Sequence, residues 1–150
     1  MLLVGIFVAL TVAILVNEFK HLTRGYKSIS AAGLTRLLNS DSGVVVDVSP
    51  AVDFGKAHIN GSVNVPMSEF KADHRSLAGA KDKPVVLICR KGQTAGTAAA
   101  QLKKAGFTDV SVLDGGVDSW ANDGNLLVTG KQPKGTGKSS KDAKPSKDKG

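Results

Sequence analysis

The chain has 150 residues, of which 41% are hydrophobic and 22% charged, a composition typical of one globular domain with short appendages. Its net charge of +7 is concentrated at the end, because residues 131–150 hold seven lysines and two aspartates. With one Trp and one Tyr in the whole chain, we expect no nucleic-acid partner. The single cysteine excludes an internal disulfide and suits a reducing compartment.

The N-terminal stretch MLLVGIFVALTVAILV carries no charged side chain. As a helix it spans about 24 Å, short of the ~30 Å hydrocarbon core, and Phe19 with the stem of Lys20 extends it. A cleaved signal peptide needs a positive segment before the apolar run and a small-residue cleavage site after it, and neither is evident. We therefore predict a transmembrane anchor at residues 1–19, with a cleaved signal or a buried soluble helix as alternatives.

The charges after the anchor predict its orientation. Lys20, Arg24 and Lys27 follow the apolar run closely, and Glu18 is the one acidic residue beside them. Positively charged flanks stay in the cytoplasm. We expect residues 20–27 to be a basic juxtamembrane linker, and the chain to cross the inner (cytoplasmic) membrane once with its domain in the cytoplasm.

From Ser28 onward the pattern is that of a folded domain. Ser28 or Ser30 can cap a helix. Its apolar residues recur at helical spacing: Ala31, Leu34, Leu37 and Leu38. GVVVDV is typical of a buried strand, and SVNVP predicts a second, shorter one. A weak helix is predicted over residues 68–77.

The alternation of strands and helices then continues. Pro84 opens the strand VVLI, and Thr94 can cap a helix that ends at Gly106. One face of this helix is apolar, with Ala95, Ala98, Ala99 and Leu102. VSVL is the next strand, DGG a turn, and VDSW begins a short helix that ends near Gly124. We therefore predict an α/β domain at residues 28–129: an open, mostly parallel sheet with helices on both faces.

Residues 130–150 differ in composition from the domain before them. They are mainly Lys, Gly, Ser, Pro and Asp, and Ala143 is their one apolar side chain. Such a segment cannot bury enough apolar surface to offset the entropy of ordering, so we expect a disordered lysine-rich tail.

The loop CRKGQT contains the one cysteine, Cys89, directly after a predicted strand. Ligands of parallel sheets bind at the carboxyl ends of the strands, which is where Cys89 stands. Gly92 lets the loop turn its backbone N–H groups inward, and the following helix adds the positive end of its dipole. Arg90 and Lys91 add two full charges. A lone cysteine after an apolar strand is usually a small buried hydrophobe, but these features together favour a thiolate nucleophile.

Three segments over roughly residues 29–128 resemble, in order, the signatures of the rhodanese family of sulfurtransferases. CRKGQT is similar to the six-residue active-site loop of the thiosulfate-specific members and differs chiefly at Gln93. VVVDVSPAVDFGKAHINGSVNVP is similar to the first family signature, and GFTDVSVLDGGVDSWANDGNLLV is similar to the closing one, whose helix bears Trp120. The anchored single domain also resembles membrane-attached rhodanese-like proteins of bacteria.

The resemblance implies a sulfurtransferase that needs no metal or organic cofactor. Cys89 would take the outer sulfur of a donor such as thiosulfate, become a persulfide, and pass the sulfur to a thiol or to cyanide. The substrate-binding residues would be those of the loop: Arg90, Lys91, Gly92, Gln93 and Thr94. The charges of Arg90 and Lys91 would bind the donor's sulfonate. Asp47 and His58 are candidates for a supporting role, Asp47 by capping a turn and His58 by hydrogen-bonding the loop after the first strand.

Three positions depart from the family pattern. Ser49 stands where the family usually has Arg, Asp53 where it has Glu, and Ala57 where it has Gly. Without that Arg, a second hypothesis stays open, a non-enzymatic rhodanese-like module that tethers a protein partner at the membrane. The intact CRKG loop favours the enzyme. The physiological donor, acceptor and protein partners are not identified by the sequence.

Two other chemistries are disfavoured. Related dual-specificity phosphatases place five residues between the cysteine and a phosphate-binding arginine, and that position here is Ala95. One cysteine and three scattered histidines give no cluster of metal ligands. Trp120 is predicted to pack in the core.

Overall fold

A computed structural model of the protein describes residues 1–23 and 25–131, with the backbone alone for residues 20–23. Residues 132–150, nearly all of the predicted tail, lie outside the described part, so the disorder of the tail stays a prediction. The described residues form a five-stranded sheet with helices on both faces, and the predicted α/β fold is confirmed.

The first helix, α1, spans Leu2–Thr23. No residue of its stretch Leu2–Phe19 is buried, and the stretch is apolar and long enough to cross a membrane. Membrane anchors and signal sequences share this length and composition. The apolar helix expected at the N-terminus is therefore present, and residues 24–26 alone separate it from the first strand.

All the strand pairs of the sheet are parallel, in the order β1-β5-β4-β2-β3. The strands are β1 (Lys27–Ile29), β2 (Val44–Asp47), β3 (Val63–Asn64), β4 (Val85–Ile88) and β5 (Val110–Leu113). The four strands predicted from GVVVDV, SVNVP, VVLI and VSVL are confirmed. Strand β1 was not predicted, and it begins at Lys27, inside the expected linker, where it pairs with Ser111 of β5.

In the part of the chain that the structure describes, four α-helices follow α1. They are α2 (Ala31–Ser40), α3 (Ala51–Lys56), α4 (Gln93–Lys104) and α5 (Gly116–Asn122). Of the two predicted caps, Ser30 caps α2, because its Oγ accepts a hydrogen bond from the backbone N–H of Gly33 at 3.2 Å, and Ser28 lies in β1. Helix α3 was not predicted from the sequence. It has six residues, begins after Pro50 and contains a glycine, so its local signal is weak.

Two helix predictions were wrong. Residues 68–77 form turns and one short 3-10 helix, Arg75–Leu77, because the segment bends so that both Phe70 and Leu77 reach the core. Helix α4 begins at Gln93 with Gly92 as its N-cap, two residues before the expected cap at Thr94. The backbone N–H of Ala95, in the first turn of α4, donates to Sγ of Cys89. The helix start therefore has a sulfur acceptor where the sequence predicted a threonine hydroxyl.

Alternate residues of the strands point to opposite faces of the sheet and make two cores. On one face the small side chains of α4 pack against the strands, with Ala95, Ala98, Ala99 and Leu102 fully buried. On the other face Leu34 of α2 and Trp120 of α5 are buried, as predicted for Trp120, whose Nε1–H donates to the carbonyl of Leu126 at 3.0 Å. Because alanines leave little space between α4 and the sheet, the start of α4 is held close to the end of β4.

Candidate active site

Cys89 directly follows β4, and it is 5% exposed. Its Sγ accepts two backbone hydrogen bonds, from the N–H of Gly92 at 3.0 Å and from the N–H of Ala95 at 3.3 Å. Gly92 has a φ of 89°, a left-handed conformation that glycine adopts without strain and that turns the chain around the sulfur. The arrangement is the inward-facing set of amides expected from the sequence, at the positive end of α4.

The N-terminus of α5 holds the loop from its backbone side. The N–H of Val117 donates to the carbonyl of Cys89 at 3.0 Å, and the N–H of Asp118 donates to the carbonyl of Arg90 at 3.1 Å. Gly116, with a φ of 66°, lies against both carbonyls, and a Cβ there would overlap the oxygen of Cys89. The sequence predicted a turn at Gly115 and Gly116. Their position against the cysteine loop became apparent only in the folded structure.

The two cations of the loop differ in their surroundings. The Nη1 of Arg90 lies 3.3 Å from Oδ1 of Asp118, and both side chains are about half exposed, at 48% and 43%. Lys91 is exposed and has no ion-pair partner among the residues that the structure describes. Sequence reasoning missed Asp118, and the available signal was an acidic residue in the first turn of the helix after the glycine pair.

A cavity of about 480 Å³ opens at Cys89, a size typical of sites for small molecules. Four of the predicted substrate-binding residues line it: Arg90, Lys91, Gln93 and Thr94. Gly92 lies on the other side of the loop, in a groove that Tyr26 also lines. The part of the lining that comes from outside the loop includes four apolar residues, Val48, Pro50, Pro66 and Met67, and Asp53 adds a carboxylate.

Asp47 ends β2 beside β4 and is 1% exposed. Its Oδ1 accepts a hydrogen bond from the backbone N–H of Ser49 at 2.9 Å, an Asx-type turn. Burial raises the pKa of the Asp47 carboxyl above its ordinary value, against the hydrogen bonds from Ser49 and the electrostatic effect of His58 and Arg90. The carboxyl therefore supports the strand end beside Cys89 and does not itself line the cavity.

His58 lies against α3. Its Nδ1 is 2.7 Å from the carbonyl oxygen of Phe54, its ring stacks on that of Phe54 with centroids 3.7 Å apart, and its backbone pairs with Val128. These contacts connect α3 to the last described segment of the domain. Within residues 1–23 and 25–131, no group of three or more His, Cys, Asp or Glu side chains is placed to hold a metal ion.

Comparisons with known proteins agree on one family. A family profile described as a rhodanese-like domain matches residues 30–123. The uncharacterized protein YibN of Escherichia coli K12 is 44% identical over 126 residues, which cover 83% of this chain and 88% of YibN. The thiosulfate sulfurtransferase GlpE of Pseudoalteromonas translucida is 30% identical over 95 residues, which cover 63% of this chain and 89% of GlpE.

A solved structure gives the same result. The crystal structure of a rhodanese-related protein from Thermoplasma volcanium is similar with a TM-score of 0.58 and 29% sequence identity. The similarity covers 69% of this chain and 98% of that protein.

Replacing Gly116 by alanine should destabilise the domain by about 2–4 kcal/mol, because the new Cβ overlaps the Cys89 carbonyl and the left-handed φ disfavours a side chain. Urea unfolding of the full chain in detergent measures this loss. The matched control is Gly55→Ala in α3, where nothing lies within 4 Å of the added Cβ and stability should stay the same or rise by up to about 1 kcal/mol. Equal stabilities of the two variants would contradict the assigned packing.

Asp47→Asn should change how stability depends on pH. Because burial raises the pKa of Asp47 in the folded state, the native chain holds the proton more tightly than the unfolded chain, and stability is lost as pH rises from about 4 through the raised value. Asparagine keeps an acceptor for the Ser49 amide and has no such loss. The unfolding free energy of Asp47→Asn minus that of the wild-type chain should therefore increase between pH 4 and pH 7. A difference that stays constant over this range would contradict the raised pKa.

Proposed function

The chain belongs to the rhodanese-like family, and on that premise we propose that it is a sulfurtransferase that carries a sulfane sulfur as a persulfide on Cys89. The observation that carries the proposal is the pair of backbone hydrogen bonds from Gly92 and Ala95 to Sγ, at the end of the cavity. Two amides and a helix N-terminus directed at one sulfur stabilise negative charge there. A cysteine that only packs in the core does not require two backbone N–H groups directed at its sulfur.

In the first half-reaction the Cys89 thiolate attacks the outer sulfur of a donor such as thiosulfate. The new S–S bond forms on Sγ as the S–S bond of the donor breaks, and its electron pair leaves with sulfite. A thiolate and a dianion thus give a persulfide anion and a dianion, so charge is conserved. The amides of Gly92 and Ala95 would hold the negative sulfur without moving, which lowers the cost of the step.

In the second half-reaction an acceptor, a thiol or cyanide, attacks the outer sulfur of the persulfide and releases the Cys89 thiolate. Gln93 and Thr94, at the start of α4, line the cavity through which donor and acceptor would approach. Neither half-reaction calls for a metal ion or an organic cofactor. The GlpE relatives, named thiosulfate sulfurtransferases, support this reaction class.

We also propose that α1 anchors the domain to the inner membrane, with the domain in the cytoplasm. The basic residues Lys20, Arg24 and Lys27 at the end of the apolar helix support this orientation. The three residues between α1 and β1 reach about 10 Å at most, which keeps the domain at the membrane surface. The chain enters the sheet at the amino end of β1, and Cys89 lies at the carboxyl end of the parallel strand β4. The membrane tether would therefore be at the opposite end of the strands from Cys89, and the cavity would stay open to water-soluble substrates.

The full chain in detergent should transfer sulfur from thiosulfate to cyanide, and Cys89→Ser should reduce the rate by at least a hundredfold, because no other described residue is a thiol. Thiocyanate formation measures the transfer. The matched control is Ser76→Ala, which removes a hydroxyl of the 3-10 helix that does not line the cavity and should keep the wild-type rate. Equal rates for the wild-type chain and Cys89→Ser with thiosulfate, together with no sulfur loaded on Cys89 by an organic persulfide, would overturn the proposal and favour the non-enzymatic module.

The orientation has a separate test. A protease added to intact spheroplasts should leave the domain uncut, since a cytoplasmic domain is shielded by the membrane, and the same protease should digest it after permeabilisation. Immunoblotting against the domain reads the result. A periplasmic protein digested in the same samples controls for access, and cleavage of the domain before permeabilisation would contradict the proposed orientation.

A further inference from the structure

The cavity at Cys89 is much less positive than the loop sequence indicates. Arg90 is paired with Asp118 at 3.3 Å, so a carboxylate already offsets part of its charge before any donor binds. Asp53 lines the same cavity and is paired with Lys56 at 3.8 Å. Counting the charged residues of the lining and their partners, three cations and two carboxylates leave +1, and Lys91 is the cation without a described partner.

Position 49 supplies no further cation. Ser49 lines the cavity but is itself buried, and its backbone N–H donates to Asp47. Its carbonyl accepts a hydrogen bond from Nδ2 of Asn64 at 2.9 Å. Position 49 is therefore a short neutral side chain held by its hydrogen bonds, and among the described residues no basic side chain outside the cysteine loop lines the cavity.

The remaining wall is suited to an apolar group. Val48, Pro50, Pro66 and Met67 line the cavity from segments outside the cysteine loop, and burying apolar atoms against such side chains is favourable. A volume of about 480 Å³ leaves room for a substituent on the donor sulfur that a small inorganic anion does not have. The net charge of the cavity and its apolar lining therefore both affect which class of sulfur donor the site binds.

Donors differ in the charge that they bring to the thiolate. With thiosulfate, a dianion joins the thiolate and three negative charges lie within a few ångströms of one another. With an organic persulfide anion, RSS⁻, the total is two. Like charges at this separation repel strongly where water is partly excluded, and a site with a net charge of +1 compensates two negative charges better than three.

We infer that the donor for which this site is built is an organic persulfide with an apolar substituent rather than thiosulfate. The inference rests on the proposed sulfur transfer through Cys89 and names its substrate class. The thiolate attacks the outer sulfur of RSS⁻, the S–S bond of the donor breaks, and its electron pair leaves on RS⁻. Two negative charges are present before and after the step, no proton is required, and no external oxidant or reductant takes part.

The test compares benzyl persulfide with thiosulfate as donors for the full chain in detergent. Rapid alkylation and mass spectrometry give the second-order rate constant for loading one sulfur on Cys89. Each constant is divided by the constant for the same donor with free cysteine in solution, which removes the intrinsic reactivity of the donor. We expect the normalised constant for benzyl persulfide to exceed that for thiosulfate by at least tenfold. A ratio of one or less would overturn the inference.

A charge variant tests the physical reason. Asp118→Asn removes the partner of Arg90 and releases a cation at the cavity, so the ratio of the thiosulfate constant to the persulfide constant should rise at least threefold. The matched control is Asp123→Asn, the same change at the far end of α5, where the carboxylate is exposed and does not pair with Arg90, and the ratio should stay as in the native chain. An unchanged ratio in Asp118→Asn would overturn the electrostatic argument.

Different results would contradict the proposed function and the inferred class of donor. If thiosulfate loads Cys89 faster than benzyl persulfide after normalisation, the sulfurtransferase stands and the donor class inferred here is wrong. If neither donor loads sulfur on Cys89, the proposed function itself is overturned, and the donor class with it.

Discussion

The hydrogen bonds from the Gly92 and Ala95 amides to the sulfur of Cys89 are the interaction on which the rest of the site depends. They need a strand that ends directly before Cys89, a loop that turns through a left-handed glycine, and a helix that begins four residues after Cys89. The parallel sheet supplies the strand end, and the alanine face of α4 lets the helix lie close enough to the sheet. Backbone amides fixed in this way stabilise charge without reorganising during a reaction.

A second constraint comes from α5, which is far from the loop in sequence. Its first amides bind the carbonyls of Cys89 and Arg90, and its Asp118 compensates the charge of Arg90. The same short helix therefore fixes the shape of the loop and reduces its positive charge. Two adjacent cations in a sequence are thus not equivalent in the folded protein, because one of them is paired and the other is exposed to the cavity.

Much of the fold could be predicted because its signals are local. The β-branched runs and their turn residues located four of the five strands, and Ser30 marked the start of α2. The elements that were missed or wrong depend on distant partners. Strand β1 has three residues and exists because β5 offers it an edge, and residues 68–77 bend because Phe70 and Leu77 both pack in the core.

The sequence by itself determined the α/β class, the position of Cys89 at a strand end, and the glycine that lets the loop close, because each of these follows from neighbouring residues. The tertiary structure decided which groups face the cavity and what charge they carry. Arg90 and Asp118 are 28 residues apart in the chain, and the apolar wall comes from two separate segments, around Pro50 and around Pro66. Pairing and burial depend on distances in space, and for this reason the electrostatics of the site became apparent only in the folded chain.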